Sequence, residues 1–332
     1  MSTFTAINLI ARPQGGPVGP ELFEVVQKPM PTVADGQFLV KQSHMSLDPA
    51  MFGWMSPDTE SYIPPVELGE VMRSSGIGEV VESNHPDFKV GDRVMGMMGW
   101  QEYFLSNGPG LNKVTAPLPD EAILSVFALP GLTATQGLFN VGKPQKGETI
   151  VVSGAAGSVG SIVGQLAKAD GLTVIGVVGS DEKADWIVNE LGFDGAINYK
   201  TDDIEAKLAE LAPKGVDIYF ENTGGPIQHH VFAKMNAHGR IVVCGMIADY
   251  PKAVPDLGPN WIQVIKKRLI IQGFTMPDHF GDVPALLQKL TPYVMNGQIK
   301  HRAHVLDGLE SAMTGLNLFF TGANKGKLIV KI

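Results

Sequence analysis

The chain has 332 residues, 44% of them apolar and 18% charged, with a formal net charge of −8 at pH 7. That length exceeds one small core and suits two domains, and the composition excludes a disordered polypeptide. The acidic balance leaves no basic footprint for nucleic acid or anionic lipid, and the single cysteine, Cys244, excludes an intramolecular disulfide and a four-cysteine zinc site.

Residues 1–16, MSTFTAINLIARPQGG, contain no unbroken apolar core of signal-peptide length. No stretch reads as a bilayer span, so a cytoplasmic protein is expected. From Ala6 to about Leu118, short alternating runs are divided by Pro and Gly: Leu22–Val26, Gln37–Ser43, Gly76–Glu82, Arg93–Met98 and Glu102–Leu105. Many short strands with such turns predict a small β-barrel or sandwich. Helical periodicity first occurs at Glu121–Leu129.

Beyond Pro130 the pattern becomes regular α/β, organised around Thr149–Val178. Thr149–Ser153 is a β-branched run of the buried parallel type, followed by Gly154, Gly157 and Gly160. Val159, Ile162, Val163, Leu166 and Ala167 then recur at helical spacing up to Gly171, and Thr173–Val178 is the next strand. A βαβ unit with a glycine-rich first turn places a pyrophosphate at a helix N-terminus. The fingerprint G-x-G-x-x-G is incomplete, since Ala155 stands where its first glycine would be. The other readings are a βα turn without phosphate, or a membrane span with Gly160 and Gly164 as its small pair, against which Lys168 and Asp170 argue.

An NAD site usually places a carboxylate at the tip of the second strand for the ribose 2′-hydroxyl. Here the tip is Gly179 and Ser180, with Lys183 in reach of a 2′-phosphate, so NADP(H) is expected. Asp181 and Glu182 cut the other way unless they serve as first-turn residues favoured by the helix dipole. Helix and strand patterns continue to alternate: Asp181–Leu191, Ala196–Tyr199, Asp203–Leu211, Val216–Glu221, Pro226–Met235, Ile241–Cys244, Leu269–Phe274 and Val283–Met295. This alternation predicts a doubly wound parallel sheet. Leu309–Phe320 reads as helix and Lys327–Ile332 as a strand able to return to the first domain. His44, with Ser and Asp but no Cys around it, reads as a structural histidine, and His229 and His230 as solvated; no metal is predicted.

These segments resemble the zinc-free medium-chain dehydrogenase/reductase superfamily along nearly the full chain. Within it they are similar to the NADP-dependent alkenal/enone double-bond reductases, which include prostaglandin, plant double-bond and curcumin reductases. The stretches that carry the resemblance are SLDPAM (46–51), SYIPPVELGEVMRSSGIGEVVES (61–83), LPGLTA (129–134), GSDEKADW (179–186), LGFDGAINYK (191–200), ENTGG (221–225) and GANKGKLIVK (322–331). The resemblance implies a GroES-like β-rich substrate domain over 1–126, completed by 300–332, and a Rossmann NADP-binding domain over 127–299. It implies a homodimer too. Carried over residue by residue, Gly157, Ser158, Val159, Gly160 and Ser161 meet the pyrophosphate, while Ser180, Lys183 and Tyr199 hold the 2′-phosphate. Asn222, Cys244, Gly245, Met246, Ile247 and Tyr250, with Phe274, Thr275 and Met276, surround the nicotinamide, and Asn324 reaches the cofactor from the terminal segment. Phe52, where relatives often carry arginine, and Thr135 and Gln136, where they often carry an aromatic, are departures on the substrate side.

The implied reaction is hydride transfer from NADPH to the β-carbon of an α,β-unsaturated aldehyde or ketone, without metal. Tyr250 is the expected oxyanion donor and Tyr62, in SYIPP, the second candidate. Two alternatives stay open: an NADPH quinone oxidoreductase of the same superfamily, and a non-catalytic NADPH-binding docking protein.

Overall fold

The structure, a computed structural model, describes residues 2–252, 254 and 256–332. The described residues form β1 (Thr3–Leu9), β2 (Phe23–Pro29), β3 (Phe38–Ser46), β4 (Ser75–Ser83), β5 (Arg93–Met97), β6 (Tyr103–Ser106) and β7 (Leu111–Lys113). There follow β8 (Thr149–Ser153), β9 (Thr173–Val178), β10 (Gly195–Asn198), β11 (Val216–Glu221), β12 (Met235–Val243) and β13 (Ile270–Gly273), then β14 (Ala303–Asp307) and β15 (Lys327–Lys331). The chain divides into two compact units, Met1–Leu124 with Ala303–Ile332, and Ser125–Arg302.

The first unit is β-rich. Its seven-stranded sheet runs β14-β15-β3-β4-β5-β7 with β6 also on β3, and β1 pairs separately with β2. The chain's last strand, β15, lies antiparallel to β3, Ile329 opposite Ser46, so the terminal segment completes this unit. Ile7, Leu9, Met45, Leu47, Met51, Trp100, Leu328 and Val330 share its main core.

The second unit is a parallel sheet of order β10-β9-β8-β11-β12-β13, with its switch point between β8 and β11. Alternation along β8 shows why both faces are covered. Ile150 and Val152 pack with Ile162, Val163 and Leu166 of the Ser158–Ala169 helix, whereas Val151 packs with Val177, Tyr219, Ile227 and Val231. Each such side chain contributes about 1.5–3 kcal/mol by leaving water.

Several boundaries differ from the sequence-based expectation. The helix expected at Glu121–Leu129 is part of a longer helical segment, Asp120–Gly142, broken at Ala128 (φ −93°, ψ −158°) where Pro130 enters the next turn. This segment is long and apolar enough to cross a bilayer, correcting the view that no stretch is. Of its most apolar window 78% is buried inside the protein, as in a core helix. The strand expected from Ile241 begins at Met235, because Met235 pairs with Val216 and the residues up to His238 (φ +64°) bulge out before Arg240 rejoins opposite Ile218. Leu309–Phe320 is broken into short turns, Leu309–Ser311, Ala312–Gly315 and Asn317–Thr321, instead of one helix. Strands β1, β7 and β14 lack an expected counterpart; β7 and β14 are short pieces without clear alternation in the sequence.

Candidate active site

Each predicted site residue of the second unit follows the C-terminal end of a parallel strand, where open α/β sheets bind their ligands. After β8 the chain turns through Gly154 at φ +58°, a conformation open to glycine at no steric cost. Gly157 caps the Ser158–Ala169 helix, and no cap side chain bonds to that helix's first-turn N–H groups. A Cβ on Gly160 would lie 2.4 Å from Gly154 O, and one on Gly164 would lie 1.8 Å from the Phe193 ring. Glycine therefore lets the helix start sit close against the strand. The amides of Ser158, Val159 and Gly160 make a positive helix end suited to phosphate, while Ser161 is spent inside the helix on Gly157 O at 3.0 Å.

The tip of β9 gathers Gly179, Ser180, Lys183 and Tyr199. Ser180 Oγ caps its own helix by accepting from Lys183 N at 3.3 Å, and a Cβ on Gly179 would lie 2.9 Å from Tyr199 Oη. Tyr199 is exposed, with Lys200 Nζ 6.0 Å from its ring centroid. Of the two carboxylates that argued for NAD, Asp181 is engaged elsewhere: Asn198 Nδ2 donates to Asp181 Oδ1 at 2.7 Å.

The loops after β11 and β12 are stitched to each other. Asn222 donates its side-chain amide to Ser153 O at 2.7 Å, tying the tips of β8 and β11. Ile247 N donates to Asn222 O at 3.3 Å, and Ala248 N to Thr223 O at 2.8 Å. Met246 N donates to Tyr250 Oη at 3.3 Å, so the hydroxyl lies against the backbone of the loop after β12, and a Cβ on Gly245 would meet it at 3.3 Å. Burial and the nearby charge of Glu221 push the Cys244 thiol up to about 12, which makes it an inert wall instead of a nucleophile.

After β13, Phe274 lies over Gly137, where a Cβ would be 2.8 Å from its ring. Thr275 Oγ1 is buried without a hydrogen-bond partner among the described residues, an orphan that a ligand amide could satisfy. Met276 is buried between Leu132 and Leu286, so its side chain serves the core. Gln136 is held in the protein, accepting from Asn140 Nδ2 at 2.5 Å and lying 3.1 Å from His279 Nε2.

Tyr62 and Asn324 belong to the first unit. Tyr62 is exposed, while Asn324 is buried and donates to Gly326 O at 3.1 Å. Phe52 is packed edge-on against Phe320 with centroids 4.4 Å apart, a core position. His44 is buried with Nδ1 3.4 Å from Asp120 Oδ2 and Nε2 3.4 Å from Glu121 Oε1. The hydrogen bond from His44, then those from Ser43 and Arg93, hold the Asp120 carboxyl well below the usual carboxylate range. Sequence reasoning passed over Ser153, Asn198 and Glu221. A serine or glutamate closing an otherwise apolar strand was the only signal they offered.

The glycine cradle, the uncapped helix start and the Thr275 orphan fit a dinucleotide. Two family profiles match the chain: "N-terminal domain of oxidoreductase" over residues 5–114 and "Zinc-binding dehydrogenase" over residues 158–291. Over 331 residues the chain is 39% identical to the NADPH-dependent curcumin reductase of Escherichia coli K12, covering 98% of this chain and 95% of that protein. The chain belongs to the medium-chain dehydrogenase/reductase superfamily. Within that superfamily it falls in the alkenal/enone reductase branch, with 38% identity to the NADP-dependent 2-alkenal reductase of Nicotiana tabacum over 89% of this chain and 87% of that one. The superfamily fold is matched closely by the crystal structure of CurA from Vibrio vulnificus in complex with NADPH, at TM-score 0.92 and 37% identity over 98% of both chains. Despite the name of the second profile, no group of three or more His, Cys, Asp or Glu residues able to hold a metal ion occurs among the described residues.

Proposed function

We propose that the protein uses NADPH to reduce the C=C bond of α,β-unsaturated aldehydes and ketones. The observation that carries this reading is the likeness, over 98% of the chain, to a reductase named for curcumin, a conjugated enone. Bound NADPH supplies the hydride. The first-turn amides at Ser158–Gly160 hold its pyrophosphate, and Ser180, Lys183 and Tyr199 take the 2′-phosphate. Asn222, the Cys244–Ile247 loop, Phe274 and Thr275 orient the nicotinamide end.

A conjugated carbonyl draws the arriving charge onto its oxygen, where Tyr250 donates its O–H. A donor so placed is worth about 3 kcal/mol in the transition state. Tyr62 is the second candidate donor. The first unit serves as the substrate domain.

The reading extends to a homodimer in the cytoplasm. β13 is the outer strand of its sheet, and Trp261, Ile265 and Ile270 near it are exposed by 62%, 74% and 57%. An uncovered strand edge flanked by apolar side chains suits a second copy of the chain. Ile270→Lys shifts the sedimentation mass to that of a monomer if this edge is the contact.

NADPH oxidation with short 2-alkenals, a linear enone, a bulky diaryl enone and a quinone, with products identified by mass, tests the reaction. A saturated aldehyde or ketone formed with NADPH supports the reading. Hydroquinone as the sole product moves the protein to the quinone branch, and tight NADPH binding without any product leaves only a docking role.

A further inference from the structure

Glu221 ends β11 with its side chain 2% exposed, and no lysine, arginine or histidine is paired with it among the described residues. A buried carboxylate of this kind is costly unless hydrogen bonds replace its water. Here they do. Glu221 Oε1 accepts from Ser153 Oγ at 2.5 Å, Thr223 N at 2.7 Å, Gly224 N at 3.0 Å and Thr223 Oγ1 at 3.2 Å. Oε2 accepts from Tyr219 Oη.

The backbone of the same residue reaches the neighbouring loop. Glu221 O accepts from Cys244 N at 2.9 Å and from Gly245 N at 3.1 Å. Ser153 Oγ, which donates its hydrogen bond to the carboxylate, accepts from Asn222 N at 2.8 Å. Every group facing the carboxylate is a donor, which is the complement of the ionised form. The charge also pushes the Tyr219 hydroxyl, already disfavoured as an anion by burial, well above the ordinary tyrosine range, keeping it a donor.

These bonds end where the cofactor-facing loops begin. Gly224 and Gly225 stand at φ +74° and +71°, a backbone path open to glycine, and the amides of Thr223 and Gly224 are anchored on Glu221 Oε1. We infer that Glu221 is a positioning residue for hydride transfer: its buried carboxylate pins the Asn222–Gly225 loop, and through it the Cys244–Ile247 loop, in the geometry that orients the nicotinamide. This rests on the second unit being the NADPH-binding body. A residue that only filled space here would be replaced without loss by its neutral isostere. Glutamine cannot do so, because its NH2 must face a donor on one side or the other.

The test compares Glu221→Gln and Glu221→Asp with wild type in three measurements. Amide hydrogen exchange in the cofactor-free protein is expected to quicken about tenfold or more at 222–225 and 244–247 in Glu221→Gln, with the β8 and β9 core unchanged. NADPH affinity, read by its fluorescence, stays within about threefold, because the pyrophosphate and 2′-phosphate contacts lie elsewhere. Turnover falls about 30-fold with a larger kinetic isotope effect from C4-deuterated NADPH, and Glu221→Asp recovers part of it by keeping the charge. Unchanged loop exchange, or equal turnover with an unchanged isotope effect, overturns the inference. If Glu221→Gln does not fold, Tyr219→Phe removes one bond to the carboxylate, and Ser153→Ala removes one bond to it together with the acceptor of Asn222 N; the same signs at smaller size are required of both. Should wild type reduce no enone, the proposed reaction fails, while exchange and NADPH affinity still decide the role of Glu221.

Discussion

Asn198, the last residue of β10, donates its side-chain amide to Asp181 Oδ1 at 2.7 Å, one strand away from the tip where a ribose would sit. Asp181 is one of the two residues, with Glu182, that argued for NAD in the sequence, and this bond turns its carboxylate toward β10. Asn198→Ala is expected to free that charge and to lower the preference for NADPH over NADH about tenfold, the effect of one charge-assisted hydrogen bond. Lys183→Ala acts on the same preference by raising KM for NADPH and leaving that for NADH alone. Steady-state kinetics with both nucleotides checks the pair, and an unaltered ratio in both variants excludes this site for the 2′-phosphate.

Gly160 has no room for a side chain, since its Cβ would approach Gly154 O to 2.4 Å. Gly160→Ala must push the helix start off the strand, at a cost of about 1–3 kcal/mol. The expected result is a lower melting temperature together with weakened NADPH binding. Loss of stability alone, with affinity intact, means that the helix start does not hold the pyrophosphate.

Tyr250→Phe leaves the phenyl ring in place and removes the hydroxyl that lies 3.3 Å from Met246 N. Turnover of an enone is expected to drop about 10²-fold with NADPH affinity nearly unchanged, as for the removal of an oxyanion donor. Tyr62→Phe is the companion measurement. If Tyr250→Phe turns over at the wild-type rate and Tyr62→Phe does not, the donor role passes to Tyr62.

Lys327, 2% exposed in its side chain, donates to Asp48 Oδ1 at 2.6 Å and to Leu47 O at 2.7 Å, while Asp48 also receives the Ser46 hydroxyl. The pair fastens β15 to the segment after β3. Lys327→Met strands the carboxylate and costs about 3–5 kcal/mol by urea unfolding, and adding Asp48→Asn recovers part of that loss. Additive losses would show that the two residues do not act on each other.

Asp120 links stability to pH. His44, Ser43 and Arg93 lower its folded pKa, so its contribution is complete above the unfolded carboxylate range and drains away as pH falls through the folded value. Asp120→Asn is expected to flatten the acid side of the stability curve below about pH 4, where unfolded carboxylates titrate. An acid limb identical to wild type counts against the cluster.

What the sequence determined by itself is the local framework of the second unit. Thr149–Ser153, Thr173–Val178, Val216–Glu221 and Val283–Met295 begin and end where periodicity and flanking turn residues said they would. Two-residue and 3.6-residue spacing are properties of neighbours along the chain, and glycine spacing marks a turn without reference to distant residues. The Asp120–Gly142 segment shows the opposite case. It is apolar on nearly all sides, so periodicity marks only Glu121–Leu129 of it, and only its burial separates a core helix from a membrane span.

Tertiary structure alone decided which polar groups are already spent. Asp181 looked available until Asn198 was brought beside it, and Gln136, a departure on the substrate side, is held by Asn140 and His279. Glu221 read as the polar end of a strand. Its carboxylate became an anchor because β8 delivers Ser153 next to it and the turn to Gly224 folds two amides back onto it. Hydrogen bonding needs donors within about 3 Å at a fixed angle, and residues some 70 positions apart meet that condition only once the sheet order is set.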